Sequence, residues 1–176
     1  MARSLLLIAL SVLAAAASNA AAAAAPARCT ASEYHQLDFW VDDWDTFDTE
    51  SPGGPSVARA HVDRIALGCG LHELYEQDDG LIGDSILSYD AVRRQWQQTW
   101  LTNGGSLMVI TGNVQDGKLV LEGEVHRGNG EVMLQRISWQ PQGDGVREWA
   151  LMSKDQGKTW SPAFDVLFRR HKAPAP

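Results

Sequence analysis

The chain has little cysteine, a shortage of positive charge and almost no helical periodicity, and each lack removes a class of protein. Two cysteines in 176 residues, with no histidines placed to meet them, do not make a zinc site. Fifteen Lys and Arg against 22 Asp and Glu leave a net charge of −7, a poor surface for nucleic acid or an anionic membrane. The length is too small for an eightfold β/α barrel of about 250 residues or for a propeller whose blades take about 40 residues each. A Gly-x-Ser-x-Gly elbow is missing too. The nearest approaches, Gly83-Asp84-Ser85 and Gly104-Gly105-Ser106, lie outside any strand–turn–helix context, so acyl transfer has no support. His35, His61, His72, His126 and His171 fall one per segment with no i, i+2 pair, so spacing indicates neither a metal centre nor an axial ligand for haem. No catalytic residue, metal or cofactor is assigned.

What is present begins with an export pattern. Met1 and Arg3 give a short positive start, and Ser4 to Ala17 form an apolar run, the layout of a cleaved secretory signal over residues 1–27. Ser18-Asn19-Ala20 and Ala25-Pro26-Ala27 both fit small-x-small cleavage, so the mature chain starts between Ala21 and Arg28. Pro26 and the alanine run make a poor membrane span, and Pro26-Ala27-Arg28 before Cys29 is no lipid-attachment pattern. The expected location is periplasmic or secreted, with no transmembrane segment after cleavage. Loss of Arg3 leaves the mature chain one unit more acidic. In an oxidising compartment Cys29 and Cys69 are expected to form a structural disulfide.

The expected organisation after the signal is a lead-in over residues 28–38, a β-domain over 39–171 and a disordered tail over 172–176. Hydrophobic content of 44% suffices for a core. Short aromatic and β-branched stretches recur between Gly, Asp, Asn and Pro residues, the pattern of an all-β protein. Ten strands are expected: Phe39 to Asp48, Val57 to Leu67, Leu71 to Gln77, Asp84 to Tyr89, Gln95 to Thr102, Ser106 to Gln115, Lys118 to Val125, Val132 to Gln140, Val146 to Ser153 and Trp160 to Arg169. Asp116-Gly117, Asn129-Gly130, Asp144-Gly145 and Gln156-Gly157 sit where hairpin turns belong. Neighbour-to-neighbour pairing closes most simply into an up-and-down antiparallel β-barrel of about ten strands, which removes exposed edges. Seven tryptophans either fill such a barrel or line a cavity in it.

The segment His35-Gln-Leu-Asp-Phe-Trp40-Val-Asp-Asp-Trp44-Asp resembles the opening of a family of secreted bacterial proteins of unknown function with a lipocalin-like, or calycin-like, β-barrel. The likeness continues through Gly70-Leu-His-Glu73, Ser88-Tyr89-Asp90, Trp96-Gln-Gln98-Thr-Trp100, Arg136-Ile-Ser-Trp139, Arg147-Glu-Trp149 and Ser153-Lys-Asp155-Gln-Gly157-Lys-Thr-Trp160. Val41-Asp42 departs from it, since the family more often has Leu or Ile followed by Gly. The resemblance implies a barrel for a small apolar ligand and brings no activity or catalytic residue. Ser153-x-Asp155-x-Gly157-x-Thr159-Trp160 also matches the Asp-box of sialidase propellers. One copy reads as a turn: Asp155 accepts backbone N–H groups, Gly157 takes positive φ and Trp160 packs beneath.

Candidate site residues are polar groups among aromatics: Glu73 beside Tyr75, Gln98 between Trp96 and Trp100, and Arg147 beside Trp149. Arg136 is expected to pair with an inward Glu73, since an unpaired buried charge is costly. The clustered Asp42, Asp43, Asp45 and Asp48 read as a solvated strand end. Val120, Leu87 and Ile110 are candidates for an outward apolar face. The reading favoured is a non-catalytic exported barrel binding a small, partly apolar or amphipathic molecule. Trp44, Trp100 and Trp149 then line the pocket, and Glu73, Gln98, Arg136 and Arg147 orient a polar end. The alternatives are an isomerase- or cyclase-type enzyme using an internal acid/base, and a filled structural barrel acting through its surface.

Overall fold

The computed structural model describes residues 29–173; the expected signal and the last residues of the expected tail lie outside them. Ten strands run Asp42–Asp48 (β1), Ala58–Ile65 (β2), Gly70–Gln77 (β3), Ile82–Asp90 (β4), Gln95–Thr102 (β5), Leu107–Gln115 (β6), Lys118–His126 (β7), Val132–Gln142 (β8), Gly145–Ser153 (β9) and Ser161–Arg170 (β10). Each pairs antiparallel with its neighbours in sequence, and β1 pairs with β10, so the sheet is a closed up-and-down barrel of lipocalin-like topology. Closure leaves no strand edge free. No helix among the described residues is long and apolar enough to cross a membrane.

Turn chemistry sets the register. Asp116 and Gly117 both take positive φ (51° and 76°) between Gln115 and Lys118, which face each other across β6 and β7. That is the two-residue turn whose twist matches the strands. The β8–β9 turn is Gly143-Asp144, one residue earlier than expected, because Gln142 pairs with Gly145. Gly145 is strand instead, and a side chain there would strike the backbone oxygen of Phe168.

The first strand is also shorter than expected. Residues 32–35 and 38–40 form two 3-10 turns that cross one end of the barrel. Trp40 stacks on Trp44 at 5.6 Å and meets Phe168 edge-on at 4.5 Å. The Trp44 indole donates to the Trp40 carbonyl at 2.9 Å, and Trp96 donates to Gln36 at 2.9 Å. Cys29 and Cys69 form a disulfide that fastens this plug to the β2–β3 turn. The buried core collects at the same end: Trp40, Trp44, Trp96, Trp139, Leu119 and Leu121 are at most 2% exposed.

Leu87 and Ile110 are buried inside the barrel, not outside it, because strand alternation turns their neighbours Ile86 and Val109 to the surface. Ile82, Ile86, Leu101, Leu107 and Val109 are the exposed large apolar residues of β4 to β6.

Candidate functional site

Opposite the plug the barrel is hollow. A cavity of about 650 Å³ opens between the β1–β2, β3–β4, β5–β6 and β7–β8 turns, and its lining includes Glu73, Tyr75, Gln98, Trp100, Glu148 and Phe168. Inside the mouth, Tyr75, Trp100 and Phe164 supply the aromatic part of the wall. Tyr75 and Trp100 meet edge-to-face at 6.1 Å, and Gly83 leaves the space the Trp100 ring occupies, since any side chain there would collide with it. Arg127 on the β7–β8 turn, with His126 and Asp48 at the ends of β7 and β1, borders the opening.

Two residues further in along their strands, the lining turns acidic. Glu73 on β3 is 3% exposed, and burial pushes its carboxyl up to about 8 against the opposing influence of the Ser85 hydroxyl. Ser85 stands opposite Glu73 in register and accepts a hydrogen bond from Gln98 Nε2 at 3.1 Å. Gln98 is itself 3% exposed, and its Oε1 has no hydrogen-bond partner. Glu148 on β9 joins them from across the barrel. Burial first, then the charge of Glu73, hold the Glu148 carboxyl well above the usual range. The Trp139 indole N–H lies near enough to favour its ionised form, yet without the geometry of a formed bond. Burial and the same two carboxylates raise the Tyr75 hydroxyl. Two adjacent carboxyls in a low-dielectric site cannot both ionise cheaply, so the pair retains a proton.

The structure thus brings Glu73, Gln98 and Trp100 together in one cavity and separates the other four candidates from it. Trp44 is sealed in the core at 0% exposure. Arg136 faces outward, donating from Nε to Glu122 at 2.8 Å and covering the Trp160 ring at 4.1 Å. The expected Arg136–Glu73 pair therefore does not form. Arg147 also faces outward, bonded to Asp165 at 2.9 Å and lying over Trp149 at 5.1 Å. Strand parity explains both positions: Met133, Ile137 and Trp139 are the inward set of β8, and Val146 and Ala150 that of β9. Glu148 belongs to the second inward set. The spacing Val146-x-Glu148-x-Ala150 was its signal, outweighed by the aromatic Trp149 beside it.

The remaining clusters belong to the outer surface. Asp42 pairs with Arg170, and Asp45 with Arg59 and His171. His61 lies between Asp43 and Asp63, 2.7 Å from each, and His72 bonds Asp84 at 2.8 Å. Among the described residues no three His, Cys, Asp or Glu side chains converge to hold a metal ion. The Asp-box-like segment is a turn: Asp155 accepts from the Thr159 N–H and hydroxyl at 2.8 and 2.7 Å, Gly157 has φ of 85°, and the Trp160 indole donates to the Gly157 carbonyl at 3.0 Å. The chain matches no protein-family model and no curated protein.

Proposed function

We propose that the protein is an exported barrel that binds a small, partly apolar molecule inside its open half, without transforming it. The observation that carries this reading is the cavity itself: about 650 Å³, within the usual range for small-molecule sites, with aromatic and aliphatic wall at Tyr75, Trp100, Ile137 and Phe168 set among polar groups such as Glu73, Gln98 and Glu148. The plugged end supports it, since the tryptophan-rich core already supplies a stable base and leaves the other half unfilled. The disulfide and the signal-like leader support a periplasmic or secreted location. Native mass spectrometry of protein from its own host, with tryptophan emission followed through solvent extraction, tests the reading. A retained small mass whose removal alters the emission is expected. A bare polypeptide with unchanged emission, and no emission change on adding amphipathic probes, overturns it.

A second reading has a specific observation behind it. A cavity-facing Glu73 raised to about 8 beside a second raised carboxyl is poised as a general acid or base near neutral pH, as an isomerase or cyclase requires. Turnover of a bound ligand, abolished in Glu73→Gln while binding persists, would move the assignment to that class.

A further inference from the structure

The cavity's inner end is rich in acceptors. Glu73 and Glu148 both line it, close enough for the charge of Glu73 to act on Glu148, and Gln98 adds a buried amide oxygen with no partner. The basic residues of the lining, His126 at the end of β7 and Arg127 just after it, stand at the mouth, and the inner lining holds no Lys or Arg. The arginines on the strands beside Glu148 are committed to outward partners, Arg136 to Glu122 and Arg147 to Asp165. A buried acceptor without a donor is costly, and two carboxyls without a cation are costlier. Between this acidic end and the opening lie the faces of Tyr75, Trp100 and Phe164.

We propose that the barrel selects amphipathic organic cations, taking a protonated amine inward to Glu73, Glu148 and Gln98 Oε1 while the apolar body lies against Tyr75, Trp100 and Phe164. This rests on the reading of the cavity as a binding site. An ammonium group offers three donors and no acceptor, which suits a lining that presents two carboxyls and the unpartnered Gln98 Oε1. Its charge replaces the proton that the carboxyl pair otherwise retains, so binding at neutral pH releases a proton from the pair to solvent. Aromatic faces near the site add cation–π attraction. A carboxylate taken to the inner end meets like charge there, and an alcohol supplies one donor.

The test compares octylamine, octan-1-ol and octanoate, which share an alkyl body and differ at the head, by calorimetry on the full mature protein at pH 7.5. Octylamine is expected to bind at least about tenfold tighter than octan-1-ol, a difference of about 1.4 kcal/mol, and octanoate weakest. Repeating the titration in buffers of different ionisation enthalpy is expected to reveal proton release with the amine alone. Affinity for octylamine is expected to rise between pH 6 and pH 9, since an alkylamine, like a Lys side chain, stays protonated to about pH 10. Glu73→Gln and Glu148→Gln, made singly, are each expected to reduce the preference, and circular dichroism confirms the fold of each. Equal affinity for amine and alcohol, or a preference for octanoate, overturns the cation selectivity while leaving a binding cavity in place. No binding of any of the three overturns the cavity reading itself, and with it this proposal.

Discussion

Glu73 and Glu148 give the interior a pH dependence whose sign follows from their surroundings. An unfolded glutamate ionises near its ordinary 4.5, whereas folded Glu73 holds its proton to about 8. Between those values the unfolded chain has lost a proton that the folded chain keeps. Stability from this group is therefore fully present below about pH 4.5 and lost as pH rises through about 8, at up to about 1.4 kcal/mol per pH unit. The thermal midpoint is expected to fall over that window, and Glu73→Gln to flatten the fall and raise the midpoint at pH 8. Differential scanning calorimetry across the range checks this. On the outer wall, His61 behaves in the opposite sense to an isolated imidazole losing charge by burial: its hydrogen bond to Asp43, then that to Asp63, raise it above 6.5. Proton NMR should place its titration above that of a free histidine, and Asp43→Asn should lower it. A His61 titration unaffected by Asp43→Asn would show that the contact does not persist in solution.

Among elements, the plug and the turns carry the clearest consequences. Trp40 touches both Trp44 and Phe168 at the closed end, and Trp40→Ala is expected to destabilise the fold by about 3–5 kcal/mol, read by urea unfolding. Replacing Cys29 and Cys69 by Ser opens a loop spanning 40 residues of sequence, with an expected loss of about 3–4 kcal/mol in the loop-entropy account. How far these elements were legible is instructive. Asp116-Gly117 announces its hairpin because few other pairs tolerate two successive positive φ values, and the ten strands follow from such punctuation together with the aromatic and β-branched stretches between. The start of β1 was not legible, because Phe39-Trp40 has strand composition while its role is to turn beneath the barrel. The site was half legible. Glu73, Gln98 and Trp100 alternate with inward apolar neighbours, so their placement could be read. Arg136, Arg147 and Trp149 mislead because Trp149 and Trp160 are outward rings covered by guanidinium groups, and composition alone cannot distinguish a ring sheltered by arginine from one facing a core.

At the scale of the whole molecule, a barrel stoppered with tryptophan at one end and acidic within at the other divides stability from recognition. Changes around the mouth should therefore alter affinity with little change in melting, and changes in the plug the reverse. Trp100→Ala measured beside Trp40→Ala, each by calorimetry and by ligand titration, checks the division. The seam between β1 and β10 has a different consequence. Nine of the ten ladders join strands that are neighbours in sequence, and the tenth joins the first strand to the last. As the chain folds, hairpin after hairpin can zip while the sheet remains an open ribbon with two bare edges. Only the arrival of β10 turns that ribbon into a vessel. The interval before closure is the time at which the bare edges of this chain can pair with another copy of itself.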